Sequence, residues 1–211
     1  MIKCVLLDLD GTLIQTTGII IDAFKVTFKK YFPEQKFTDD EYTDMLGRTL
    51  FQTFGYYTSS KEQVDEMVDF YRSYSNDLIE QGLESYPGAK EILTFLKKKN
   101  IKVGIVTSKM RRVATHHLEI TKLLEHIDGI IGYEDVSVHK PSPEPILKAL
   151  ELLGVKKSST IYVGDHENDI IAAKKAGILT CAVTYSHRLK EMLAYQPDFV
   201  IDELLNIKDL I

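Results

Sequence analysis

The chain has 211 residues, enough for one core domain carrying a small insert. Hydrophobic residues make up 44% and charged residues 27%, which allows a sizeable core and excludes a globally disordered chain. The 31 acidic residues outnumber the 26 basic ones, for a formal net charge of -5, so a broad nucleic-acid-binding surface is excluded and any phosphate site has to be built locally.

Ile2 to Leu9 is a short apolar run rich in branched residues, closed by Asp10-Gly11. This is the pattern of a buried parallel strand ending in a turn. Asp8 falls where a signal peptide would continue apolar, and no run approaches the roughly 18 apolar residues of a membrane span. A cytoplasmic protein without a membrane segment is expected. From about Thr16 to Gly82 the pattern reads as helices only. Thr38 with Glu41 and Ser59 with Glu62 fit the capping-box spacing, and Val64, Met67, Val68, Tyr71, Tyr74 and Leu78 recur at helical spacing as a core stripe.

Past this block, strands and helices alternate. Pro87-Gly88 precedes a helix with Ile92, Leu93, Phe95 and Leu96 as its apolar stripe. Ile101–Val106, Thr160–Val163 and Thr180–Val183 read as further buried strands. Ser142-Pro143-Glu144 opens a helix, with serine as N-cap and proline at the first helical position. Its apolar face is Ile146, Leu147, Leu150 and Leu153, and Gly154 stops it. Cys4 and Cys181 sit inside apolar runs and are expected to be reduced and buried. The predicted fold is α/β: a doubly wound parallel sheet over residues 1–15 and 84–211, with a helical cap domain, residues 16–83, inserted after the first strand.

Four segments at predicted strand ends carry chemistry, and ligands bind at that edge of an open parallel sheet. Asp8 and Asp10 are two residues apart, which fits a metal site, a nucleophile with an acid/base partner, or an acidic strand end. Thr107-Ser108 offers hydroxyls and backbone N–H groups for a phosphoryl oxygen, or a helix cap. Lys140, between His139 and Pro141, is a point charge at a helix entrance. Asp165 and Asp169 straddle a turn into a helix, and with Asp8 and the Asp10 backbone they form an oxygen-only set suited to Mg²⁺. His116-His117 lies within a helix and points to two faces, without partners at zinc-ligand spacing.

Together, Asp8-Leu-Asp-Gly-Thr-Leu13, Thr107-Ser108, Lys140-Pro141 and Gly164-Asp165 with Asp169 resemble, in order and spacing, the four motifs of the haloacid dehalogenase superfamily of phosphohydrolases. The pattern is similar to the subfamily of phosphoglycolate phosphatases and bacterial inorganic pyrophosphatases. Within it, Leu46 to Phe54, containing Arg48, looks like the cap's substrate-specificity segment, and Thr107-Ser108-Lys109 and Pro141 to Pro145 look closest to the pyrophosphatases. Arg48 stands where that group often has proline, and His166 where many relatives have serine or asparagine. The resemblance implies a Rossmann-like core and Mg²⁺-dependent hydrolysis through an aspartyl-phosphate. Asp8 would be the nucleophile and Asp10 the acid/base. Thr107, Ser108 and Lys140 would stabilise the phosphoryl group, and Arg48 would contact substrate. Asp8, Asp10, Asp165 and Asp169 would hold the metal. The expected substrate is inorganic pyrophosphate, with phosphoglycolate or another small phosphate monoester, a phosphosugar mutase reaction, and a silent phosphate-binding module as alternatives.

Overall fold

A computed structural model describes residues 1–211, folded as two compact units, Met1–Gln15 with Glu84–Ile211, and Thr16–Leu83. The first unit holds β1 (Cys4–Leu7). The second then runs through helices α1 (Thr17–Tyr31), α2 (Asp39–Thr43), α3 (Leu50–Gly55) and α4 (Lys61–Gly82). The first unit resumes with α5 (Ala89–Lys98), β2 (Lys102–Val106), α6 (Arg111–Ile120) and β3 (Gly129–Ile131). It continues through α7 (Glu144–Leu153), β4 (Thr160–Gly164), α8 (Glu167–Ala176), β5 (Leu179–Val183), α9 (Leu189–Ala194) and β6 (Phe199–Ile201).

All strand pairs are parallel, in the order β3-β2-β1-β4-β5-β6. This is a doubly wound order, and its switch point lies between β1 and β4. β1 is central, so all four of its residues are fully buried, which explains its unbroken apolar run. One sheet face packs Cys4, Leu6, Val106 and Tyr162 against Ile146, Ala149 and Leu150 of α7 and Ala172, Ala173 and Ala176 of α8. At about 25 cal/mol per Å² of buried apolar surface, these layers are the main stabilising term. β3 and β6 were not expected. Each has three residues at a sheet edge, too few to show a period.

Local starts shift by a residue from the sequence expectation. The helix α7 begins at Glu144 with Pro143 just outside it, and Ser142 Oγ still accepts from the Glu144 N–H at 3.3 Å. Leu147 is 38% exposed rather than part of the buried face, because one residue past Ile146 turns about 100° away from the core, while Ala149 takes a buried place. Gly154 ends the helix in the left-handed conformation, as expected. Both cysteines are free and buried, and burial pushes each thiol up to about 12.

In the helical unit Thr38 and Glu41 cap α2 reciprocally. At α4 the cap is Ser60, accepting from Gln63 N–H at 3.2 Å, one residue beyond the Ser59–Glu62 pair expected. The stripe Val64, Met67, Val68 and Tyr71 is buried, and Ile79 rather than Leu78 closes it, as a helix of 3.6 residues per turn drifts. It packs on Phe24, Phe28 and Phe54, with the Phe24 and Tyr71 rings 4.9 Å apart.

Candidate active site

The site grows from the carboxyl ends of β1, β2 and β4. Asp8 follows β1, and its N–H extends the ladder to Val163 O at 3.0 Å, so the backbone carrying this carboxylate is pinned beside β4. The chain then curls through Asp10 and Gly11, with Gly11 N–H on Ile14 O and Leu13 N–H on Leu9 O. Gly11 has φ 76, and a Cβ there would lie 2.2 Å from Asp165 Oδ2. Only glycine lets this loop press against that carboxylate. Thr12 Oγ1 donates to Asp165 Oδ1 at 2.9 Å, and Tyr185 donates to the Thr12 carbonyl at 2.7 Å. Ser186 donates to the Asp165 carbonyl.

Asp8, Asp165 and Asp169 bring carboxylate oxygens within 4.8 Å of one another. Lys140 faces the group: its Nζ lies 2.7 Å from Asp169 Oδ1 and 3.0 Å from Asp8 Oδ1. It donates to Val106 O at 3.2 Å and to the Tyr162 hydroxyl at 3.1 Å. The Asp8 contact is an ion pair without hydrogen-bond alignment, since Asp8 Oδ1 is buried and has no hydrogen-bond partner. Asp169 also accepts from the His166 N–H at 3.1 Å.

Two buried carboxylates and a half-buried third against one ammonium leave an excess of negative charge. Burial pushes the Asp8 carboxyl up to about 7; Lys140 pulls it down, and Asp169 and Asp10 push it up. Burial, then Asp8 and Asp169, raise Asp165 well above the carboxylate range. Burial would lower Lys140, but Asp169 and Asp8 more than offset it and hold the ammonium charged. A hard divalent cation is the group such a set lacks: all donors are oxygens, they converge, and the Asp8 oxygen has no hydrogen-bond partner.

Thr107 follows β2, its N–H on Ile131 O at 3.0 Å and its hydroxyl accepting from Lys109 N–H at 3.1 Å. Ser108 is half-buried beside it. Asp10 stands outside the carboxylate cluster, where its side chain pairs with Lys109 at 3.1 Å. Arg48 belongs to the helical unit, exposed in the turn between α2 and α3. Sequence reasoning missed Thr12, Tyr162 and the Lys109–Asp10 pair. A tyrosine hydroxyl within an otherwise apolar strand was the available signal, since a buried hydroxyl needs a partner.

The model of the haloacid dehalogenase-like hydrolase family matches residues 5–183. The chain belongs to this family. A pyrophosphatase PpaX from Bacillus cereus is 39% identical over 207 residues, 98% of this chain and 94% of the relative. A haloacid dehalogenase-like hydrolase from Bacteroides fragilis has a similar structure, with TM-score 0.88 and 28% identity over 98% of this chain and 100% of the other. A predicted phosphoglycolate phosphatase from Haemophilus somnus also superposes with TM-score 0.88, covering 99% of this chain and 97% of the other; at 20% identity it speaks to the fold alone. The chain is thus a hydrolase of the haloacid dehalogenase-like family on a Rossmann-like core. No helix is long and apolar enough to cross a membrane.

Proposed function

We propose that this hydrolase cleaves inorganic pyrophosphate in a Mg²⁺-dependent reaction through an aspartyl-phosphate on Asp8. The observation that carries the reading is the convergence of Asp8, Asp165 and Asp169 on one oxygen-lined point with Lys140 beside them. The PpaX relative supports the choice of substrate.

An Asp8 carboxylate oxygen attacks phosphorus, the bond to the leaving oxygen breaks, and that oxygen takes a proton from Asp10. Asp10 then receives a proton from the water that hydrolyses the aspartyl-phosphate. Thr107 and Ser108, at the end of β2, donate to phosphoryl oxygens, and Lys140 supplies fixed positive charge. Asp8 and Asp165, with the Asp10 carbonyl, would hold Mg²⁺. Asp169, already bonded to Lys140 and the His166 N–H, would orient the set or reach the ion through water. Mg²⁺ held there would supply neutralising charge for the phosphoryl transfer. Arg48 would contact the leaving group.

The test measures phosphate release from pyrophosphate and from phosphoglycolate at one Mg²⁺ concentration, with Asp8→Asn as control. Pyrophosphate is expected to show the higher kcat/KM, and Asp8→Asn to lose ~10³-fold or more, about 4 kcal/mol of barrier. A tenfold preference for phosphoglycolate overturns the substrate and leaves the chemistry standing. A variant keeping a tenth of the activity overturns the covalent route.

A further inference from the structure

The segment between β5 and α9 meets Asp165 from two directions. In the sheet β4 lies between β1 and β5, so the loop leaving β5 runs beside the loop leaving β4 and can reach the one leaving β1. Tyr185 makes that reach. Its hydroxyl donates to the Thr12 carbonyl at 2.7 Å, and the Thr12 hydroxyl donates onward to Asp165 Oδ1 at 2.9 Å. Ser186, the next residue, donates to the Asp165 carbonyl. The loop itself is fixed at both ends. The Tyr86 ring stacks on Tyr185 with centroids 4.3 Å apart. The Arg188 N–H bonds Ser186 Oγ at 2.7 Å, and the Arg188 guanidinium grips both carboxylate oxygens of Glu167, at 2.6 and 3.1 Å.

Asp165 needs such support. It is the first residue past the end of β4, where the strand pairing with β5 stops at Gly164. Its carboxylate has to stay close to those of Asp8 and Asp169, which repel it when all are ionised. We propose that Tyr185 and Ser186 are positioning residues for Asp165 as a metal ligand: Ser186 holds its main chain, and Tyr185 holds its carboxylate through Thr12. Thr12 is fully buried, so bulk water does not replace a lost phenol proton on its carbonyl. The bracket keeps the carboxylate aimed before a cation arrives, which lowers the cost of gathering like charges at the moment of binding. The inference rests on the reading of Asp165 as a Mg²⁺ ligand.

The experiment uses Tyr185→Phe, which keeps the ring and its stack on Tyr86, together with Ser186→Ala in one chain. Mg²⁺ alone is titrated calorimetrically into the metal-free protein. Phosphate release is then followed against Mg²⁺ concentration, with whichever of pyrophosphate and phosphoglycolate the wild type turns over faster. The double variant is expected to bind Mg²⁺ about 10-fold more weakly, the scale of losing the groups that orient a metal ligand. Its kcat should return to within about 3-fold of wild type once Mg²⁺ is saturating. A merely structural role would lower Tm and leave Mg²⁺ affinity in place. Affinity within about 3-fold of wild type, or a kcat that saturating Mg²⁺ does not restore, overturns the inference. If the double variant does not fold, the two single variants are measured in its place; if neither of those folds, the loop is structural and the inference falls. Asp165→Ala run alongside separates the failures. An Asp165→Ala protein that binds Mg²⁺ as wild type does removes the ligand itself, whereas one that loses the ion beside an unimpaired double variant removes only the roles given to Tyr185 and Ser186.

Discussion

Lys109 Nζ lies 3.1 Å from Asp10 Oδ1, with the two side chains 18% and 20% exposed. The loop that carries Lys109 is braced from behind: Tyr133 N–H bonds the Lys109 carbonyl at 2.8 Å, and the Arg111 N–H meets the Glu134 carboxylate at 3.0 Å. A Cβ on Gly132 would lie 2.5 Å from the Arg111 nitrogen, so β3's exit packs directly on this loop. The lysine is thus delivered to Asp10, the proposed acid/base, by backbone contacts.

Lys109→Met should separate activity from stability. A partly exposed ion pair contributes about 0–1 kcal/mol to folding, so Tm should change little. Removing the Lys109 ammonium takes away one restraint on Asp10 in the geometry in which it would reach the leaving oxygen. A drop in kcat/KM of about 10-fold is expected from steady-state assays. Unchanged kinetics would show that the pair does not position Asp10.

Gly11→Ala should damage the site more than the fold. Its φ of 76 costs a non-glycine residue about 1–2 kcal/mol, or roughly 2–8 °C in Tm for a chain of this size. The added methyl would also meet Asp165 Oδ2 and push that carboxylate away from Asp8. We expect Mg²⁺ affinity and kcat to fall together by ~100-fold or more. Gly18→Ala, in α1 where a Cβ meets nothing within 4 Å, is the control and should leave both intact. Equal behaviour of the two variants would refute the close-approach argument.

The parts legible in the sequence share a physical cause. β1, β2, β4 and β5 are central or nearly so, and burial on both faces forces continuous apolar runs that end where the chain meets the site. Asp8, Thr107 and Asp165 stand out because each breaks such a run. Lys140 and Asp169 do not break a strand; the sequence marks them only as a charge at a helix entrance and as the second aspartate of a turn into a helix, and the family resemblance assigns their roles. Tyr162 hides inside a strand, its hydroxyl masked by a ring that packs as an apolar residue does. The Lys109–Asp10 pair joins two loops with no shared period, so no local pattern announces it.

The carboxylate cluster should make metal stabilisation depend on pH. Asp8 titrates near 3.8 when unfolded and at about 7 when folded, because burial disfavours its charge. The folded state therefore holds the proton more tightly, and metal-free stability is present below the unfolded value and is lost as pH rises through about 7. Asp165 is raised too and adds in the same direction. A cation binds the ionised form, so the gain in Tm on replacing EDTA by Mg²⁺ should be larger at pH 8 than at pH 5.5. Asp8→Asn should flatten the metal-free fall. Equal gains at the two pH values would show that these carboxylates are not the metal site.

Arg48 offers the sharpest test of specificity because the fold does not need it. It is exposed, preceded by Gly47 at φ 72 and followed by Thr49, which shares a reciprocal cap with Gln52 at the start of α3. The turn is held by those neighbours, so Arg48→Ala should leave Tm unchanged and any kinetic loss reports on substrate. If its guanidinium grips the leaving phosphate, kcat/KM for pyrophosphate should fall by about 2–4 kcal/mol in barrier terms, roughly 30- to 1000-fold. Arg48→Lys should recover only part, since an ammonium cannot reproduce a two-pronged contact. Phosphoglycolate presents a carboxylate in place of the second phosphate, and a fork fits both. Similar losses on both substrates would make Arg48 a general anion contact; a loss confined to pyrophosphate would make it a discriminator. Rates within twofold of wild type on both would take Arg48 out of the site altogether and leave the leaving group to be held by the core.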